Sequence, residues 1–92
     1  MTVRWTSTGL RDLESSHAYL AHNSEEAAAS AVERILAGLE ALLRFPAMGR
    51  QGRIAGAREL VVSPFIVTHR VKQDVIEVVA IIHGARRWAD SF

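Results

Sequence analysis

The side chains of this 92-residue sequence with chemistry to offer are four histidines, His17, His22, His69 and His83, and eleven lysines and arginines; cysteine is absent. Without thiols there is no disulfide framework, thiolate metal site or cysteine nucleophile. His17 and His22 stand five apart, a poor match to the i, i+4 spacing that turns two ligands to one helix face, and no His-carboxylate cluster supports them. No metal and no cofactor is therefore expected. Gly49-x-x-Gly52 lacks the following Gly-Lys-Ser/Thr of a phosphate cradle. What remains is metal-independent acid–base chemistry. Cleaving RNA that way takes a base, cations for the developing phosphorane charge, and an acid for the leaving oxygen. His83 closes an apolar run, with Arg86, Arg87 and Trp88 just beyond it. His69 and Arg70 are neighbours on a strand candidate and so point to opposite faces. A ribonuclease would draw on His83, Arg86 and Arg70. The plainer alternative is that Arg58 and Arg70 pair across strands with Glu59 or Glu77. Arg50 and Arg53, in a loop, either contact phosphate or an acidic partner, or are simply solvated. Trp88 and Phe92 either pack back on the domain or anchor a partner.

These groups must be positioned by elements with a readable order. Val3-Arg4-Trp5 is rich in strand formers, and Thr6-Ser7-Thr8 offers hydroxyls to cap a helix. Leu10, Leu13, His17 and Leu20-Ala21 then trace one face of an amphipathic helix, broken at His22-Asn23-Ser24. Ser24 reads as the next N-cap, with Glu25 and Glu26 where the helix dipole favours negative charge. Ala28, Ala31-Val32, Ile35-Leu36, Leu39 and Leu42-Leu43 keep the helical period until Pro46 stops it near Phe45. "PAMGRQGRIAG" reads as a loop. After it the period becomes two: Arg58–Val62, Phe65–Val71 and Val75–His83 are strand candidates, joined by turns short enough for hairpins. The expected fold is α+β: an N-terminal strand, an antiparallel helical hairpin, then a three-stranded antiparallel meander, β-α-α-β-β-β.

Composition narrows the class. Ten acidic residues nearly balance the eleven basic ones, leaving a net charge of +1, so bulk charge does not call for a polyanion. Direct sequence-specific DNA binding by this chain alone is not expected. The N-terminus lacks a signal-peptide pattern. The run Val75–Ile82 is far shorter than the roughly 18 apolar residues of a membrane span. One domain over residues 1–92, in the cytoplasm and away from membranes, is the expectation.

With these pieces in order, the sequence resembles the ParE/RelE superfamily of bacterial toxins from type II toxin–antitoxin modules. The resemblance runs over nearly the whole chain and is carried by Pro46-x-x-Gly49-Arg50, Gly56-x-Arg58-Glu59-Leu60 and Ile82-His83-Gly84-Ala85-Arg86. It implies the β-α-α-β-β-β fold, a plasmid-stabilisation role, and a cognate antitoxin that folds around the toxin. An apolar groove for it at Leu13, Leu20 and Phe65, with Leu39 beside them, would suit coupled folding, although Leu13 and Leu39 also read as ordinary core. Two activities share that fold. The RelE-like branch comprises ribosome-dependent messenger ribonucleases, which resemble a pattern of cations on the strand entered at Arg58, an arginine opening the next strand, another after the last strand, and a C-terminal tyrosine. This sequence has Glu59 and Val61 at the first positions and Phe65-Ile66 at the second. Arg86 matches, and Phe92 stands near the tyrosine place without a hydroxyl. Another ribonuclease branch uses a late histidine, which keeps His83 in view. The His83-Gly84-Ala85-Arg86-x-Trp88 ending and the Gly-Arg loop are similar instead to ParE, a branch that inhibits DNA gyrase by binding. The near-zero charge agrees, because phosphate contacts drive ribosome binding. On that reading His83, Arg86, Arg87 and Trp88 form a docking edge, with DNA gyrase as target. The alternatives are a RelE-like endoribonuclease and a degenerate member that only binds antitoxin.

Overall fold

Among the described residues, alternation and helical periodicity become seven elements: β1 (Thr2–Trp5), α1 (Ser7–Ala21), α2 (Glu25–Arg44), β2 (Arg50–Gln51), β3 (Arg58–Val62), β4 (Phe65–Lys72) and β5 (Val75–His83). The structure, a computed structural model, describes residues 1–52 and 54–83.

Both helices start on the hydroxyls the sequence offers. Thr6 Oγ accepts from the Gly9 amide at 2.9 Å and Ser24 Oγ from the Ala27 amide at 3.1 Å, each satisfying an orphan donor of a first turn. Glu25 and Glu26 occupy the first turn of α2 and Arg44 its last, complementing the helix dipole at both ends. On α2 the buried positions are Ala28, Ala31, Ile35, Leu39 and Leu42, one stripe at helical spacing. Ala31, Ile35, Leu39 and Leu42 cluster with Phe65 and Val67 of β4 and with Ile76, Val78 and Ile81 of β5. Each such Leu, Ile or Phe contributes roughly 1.5–3 kcal/mol on leaving water.

The sheet is mixed, in the order β1-β5-β4-β3-β2. The expected meander is there: β3, β4 and β5 pair antiparallel in sequence. Two features go beyond it. β1 runs parallel beside β5, from Thr2↔Val75 to Trp5↔Val78, so the first and the last described strands are neighbours. Within the segment read as a loop, Arg50 and Gln51 pair with Glu59 and Arg58, and the sheet gains a fifth strand. Gly49 enters β2 at φ +98°. A Cβ there would lie 2.9 Å from the Glu59 carbonyl oxygen, so glycine's freedom is what lets this strand approach. Two polar residues carry no periodicity, which is why alternation did not reveal β2.

One irregularity sets the facing of β5. Pairing with β4 steps from Thr68↔Ala80 to His69↔Val78, leaving Val79 as an extra residue in a β-bulge. Before the bulge the helix-facing residues are even-numbered, Ile76 and Val78. After it they are odd, Ile81 and His83.

Candidate functional site

Strand alternation sends the chemistry-bearing side chains to two separate faces. On the face away from the helices, register aligns Arg4 of β1, Glu77 of β5 and Arg70 of β4. Glu77 accepts from both: Oε2 lies 3.0 Å from Arg4 Nη2 and Oε1 lies 2.7 Å from Arg70 Nε. Those two guanidinium hydrogen bonds hold the Glu77 carboxyl below its ordinary range, against the opposing effect of burial. The next row carries Arg50 of β2, Glu59 of β3 and Thr68 of β4, with Arg50 Nη2 3.2 Å from Glu59 Oε1. Val61 follows two residues along β3 on the same side. Among the described residues, the three arginines of this face thus each meet a carboxylate, Arg4 and Arg70 sharing Glu77 and Arg50 pairing with Glu59.

On the helix-covered face, His83 ends β5 opposite Phe65. The two rings meet edge-on at 5.5 Å between centroids, and Tyr19 of α1 approaches His83 at 6.3 Å in a similar T-shaped contact. His83 Nδ1 is buried and has no hydrogen-bond partner among the described residues. Tyr19 is exposed, so the niche opens to solvent along α1.

His69 occupies the same face farther along β4, paired with Arg58 on one side and Val78 on the other. It is fully buried. Its Nδ1 lies 3.4 Å from the Val67 carbonyl oxygen, and its Nε2 has no partner. Burial, with a smaller contribution from the Arg58 charge, lowers its pKa below the ordinary 6.5. It is a neutral core histidine. Arg58 faces away from Glu59 and donates instead to the Gly49 carbonyl at 3.3 Å, whereas Arg70 makes the cross-strand pair with Glu77 foreseen for it.

The structure therefore divides the ribonuclease candidates. Arg70 is on the helix-free face, while His83 lies under α1 at the opposite end of β4. Of the docking edge, His83 is placed; Arg86, Arg87 and Trp88 lie outside the described residues, as do Arg53 and Phe92. Arg50 is in a strand and paired. Of the groove residues, Phe65 is 1 % exposed, so its ring is core and presents no surface, and Leu13 and Leu20 are half-buried against the same core. Among the described residues, no three His, Cys, Asp or Glu side chains are grouped to hold a metal ion. No described helix is long and apolar enough to cross a membrane. Sequence reasoning missed Tyr19, the neighbour of His83, and Asp12, whose Oδ2 accepts the Ile81 amide at 3.0 Å across 69 residues of chain. No local pattern signals either contact.

Comparison with known proteins converges on one group. The family model described as "ParE toxin of type II toxin-antitoxin system, parDE" matches residues 3–88. A Sinorhizobium fredii protein described as "Putative toxin Y4kP" is 40% identical over 94% of this chain and 91% of its own. "Toxin RelE2" of Caulobacter vibrioides is 29% identical over 91% and 96%. Among solved structures, one titled "Chromosomal ParDE TA system from P. aeruginosa" superposes with a TM-score of 0.76 at 27% identity, covering 90% of this chain and 95% of that one.

Proposed function

The chain belongs to the ParE toxin family of type II toxin–antitoxin systems, and on that premise we propose that it is a cytoplasmic toxin that inhibits DNA gyrase by binding and is neutralised by a cognate antitoxin. The observation that carries the binding mechanism is the helix-free face. Where the ribonuclease branch would need free cations, this chain places Glu59 and Val61, and Arg4, Arg50 and Arg70 are occupied by Glu77 and Glu59. A phosphate arriving there meets carboxylates already holding the arginines, and displacing them costs the pairing energy of each. Metal-free cleavage needs a cation and a general base on one substrate, and here Arg70 and His83 occupy opposite faces of the sheet. Binding to a protein target makes no such demand. The antitoxin partner is supported by the family description and by the ParDE system whose fold this chain shares.

A messenger ribonuclease is the second reading, favoured by the name of the Caulobacter vibrioides relative and by the orphan nitrogen of His83. Inducing the toxin without antitoxin and pulse-labelling DNA and protein synthesis over the first minutes separates the two. Gyrase inhibition predicts that DNA synthesis falls first and cells filament. A prompt stop in protein synthesis with cleaved messenger would overturn it in favour of the ribonuclease. No effect on either would mark a member that has lost toxicity.

A further inference from the structure

Past the Trp5↔Val78 pair β1 no longer covers the edge of β5, and the bulge at Val79 turns the Ile81 amide to that open edge. A buried amide without an acceptor is costly, so its hydrogen bond must go somewhere. Here α1 supplies the partners. Asp12 Oδ2 accepts the Ile81 amide at 3.0 Å. Thr6 Oγ donates to the Val78 carbonyl at 2.9 Å, with the Val79 carbonyl at 3.2 Å. The start of α1 lies so close to this spot that a Cβ on Gly9 would come within 2.5 Å of the Val78 oxygen. Thr6, the cap of α1, and Asp12 within it thus hold β5 at the bulge and just beyond it.

The bulge decides which face His83 occupies. Were β5 regular through Val79, the even parity of Ile76 and Val78 would continue, and His83 would fall on the helix-free face with Arg70 and Glu77. With the bulge, His83 turns under α1 and meets Phe65 and Tyr19. We propose that Asp12 is a positioning residue: by capping the Ile81 amide it holds the bulge, and so seats His83 between Tyr19 and Phe65 at the strand end. The inference rests on the docking reading only in so far as that strand end is where the target binds; the positioning itself is independent of any target. Helix α1 and the end of β5 then behave as one rigid unit.

Three variants test this: Asp12→Ala, Asp12→Asn, and Asp12→Ala combined with deletion of Val79. The first removes the acceptor. The second keeps a carbonyl oxygen in its place. The third removes both the acceptor and the extra residue, so Ile81 and His83 face the helices in a regular strand without any clamp. The readouts are amide exchange at Ile81, the His83 ring resonances by NMR in the folded protein, and inhibition of gyrase supercoiling. Asp12→Ala should speed Ile81 exchange at least about tenfold, the equivalent of one lost buried hydrogen bond, and move the His83 resonances away from their ring-current-shifted positions. Asp12→Asn should retain both wild-type values. The double change should restore the His83 resonances, which a general loss of stability could not do. Unchanged Ile81 exchange and His83 resonances in Asp12→Ala overturn the proposal, as does failure of the deletion to restore His83 in a folded protein. If the resonances move and recover as expected while supercoiling inhibition stays at the wild-type level throughout, the positioning role stands and the docking reading of this strand end falls. Should Asp12→Ala not fold, the double variant and Asp12→Asn, compared with wild type, carry the same decision.

Discussion

His69 and Glu77 are both buried ionisable groups on neighbouring strands, and their environments push them to opposite charge states. His69, desolvated and with Nε2 unpartnered, is held neutral, with its pKa below the ordinary 6.5. Glu77, gripped by Arg70 and Arg4, is held ionised, with its pKa below the ordinary 4.5. The consequences for stability carry the same sign over different windows. The unfolded chain takes up a proton at His69 before the folded chain does, so stability falls as pH drops below 6.5 until the depressed folded pKa is reached. Glu77 adds a second fall below 4.5, as its pairing is lost through its own depressed pKa. Urea unfolding between pH 7.5 and 5 should show the first slope in the wild type and its loss in His69→Leu. An equal slope in both would place the titrating group elsewhere. In Glu77→Gln the second slope should flatten, and the midpoint should become less sensitive to added salt, because two exposed-end ion pairs are gone.

At the scale of elements, α1 meets β5 at a seam too close for a side chain at Gly9. Gly9 is buried in the first turns of α1, and the atom facing it is a backbone oxygen of β5 rather than the end of a pliable side chain. Gly9→Ala should therefore destabilise although alanine is the better helix former, by about 1–3 kcal/mol as an overpacked site that only a backbone shift can relieve. A thermal melt checks it, and an unchanged or raised midpoint would show that the seam yields easily. Gly49→Ala should behave alike for a different reason, its φ of +98° with the Glu59 carbonyl 2.9 Å away. The helices themselves were legible from local chemistry: Thr6 and Ser24 as caps, the stripe from Ala28 to Leu42, and Pro46 just past the end. β3, β4 and β5 were legible because Leu60, Val67 and Ile76 belong to runs of strand formers punctuated by Ser63-Pro64 and Gln73-Asp74. β2 was not, since two polar residues have no pattern and are made a strand only by Gly49 and the neighbouring edge of β3.

Over the whole molecule, the first strand and the last described strand lie side by side, so folding must close nearly the full length of the chain before the sheet is complete. Val3 and Trp5 pack against the core over Ile76 and Val78. Deleting residues 1–5 would uncover that part of the core together with an unpaired strand edge. The truncated chain should lose its cooperative melt and associate with rising concentration, seen by circular dichroism and size-exclusion chromatography; a sharp melt at the wild-type temperature would show β1 to be dispensable. The sequence by itself determined the fold class and the bounds of six of the seven described elements to within a residue or two, because caps, breakers and apolar period act over a few residues and are written in residue type; the superfamily came from the likeness of short motifs such as Ile82-His83-Gly84-Ala85-Arg86 to known toxins. Only the tertiary structure decided that β1 joins β5 in parallel, that Glu77 holds Arg4 as well as Arg70, that His69 is sealed in the core, and that the bulge turns His83 beneath Tyr19. Each of these depends on groups some seven to 73 residues apart. Backbone hydrogen bonds between strands are indifferent to side-chain identity, so a partner chosen at long range leaves no mark on the local sequence.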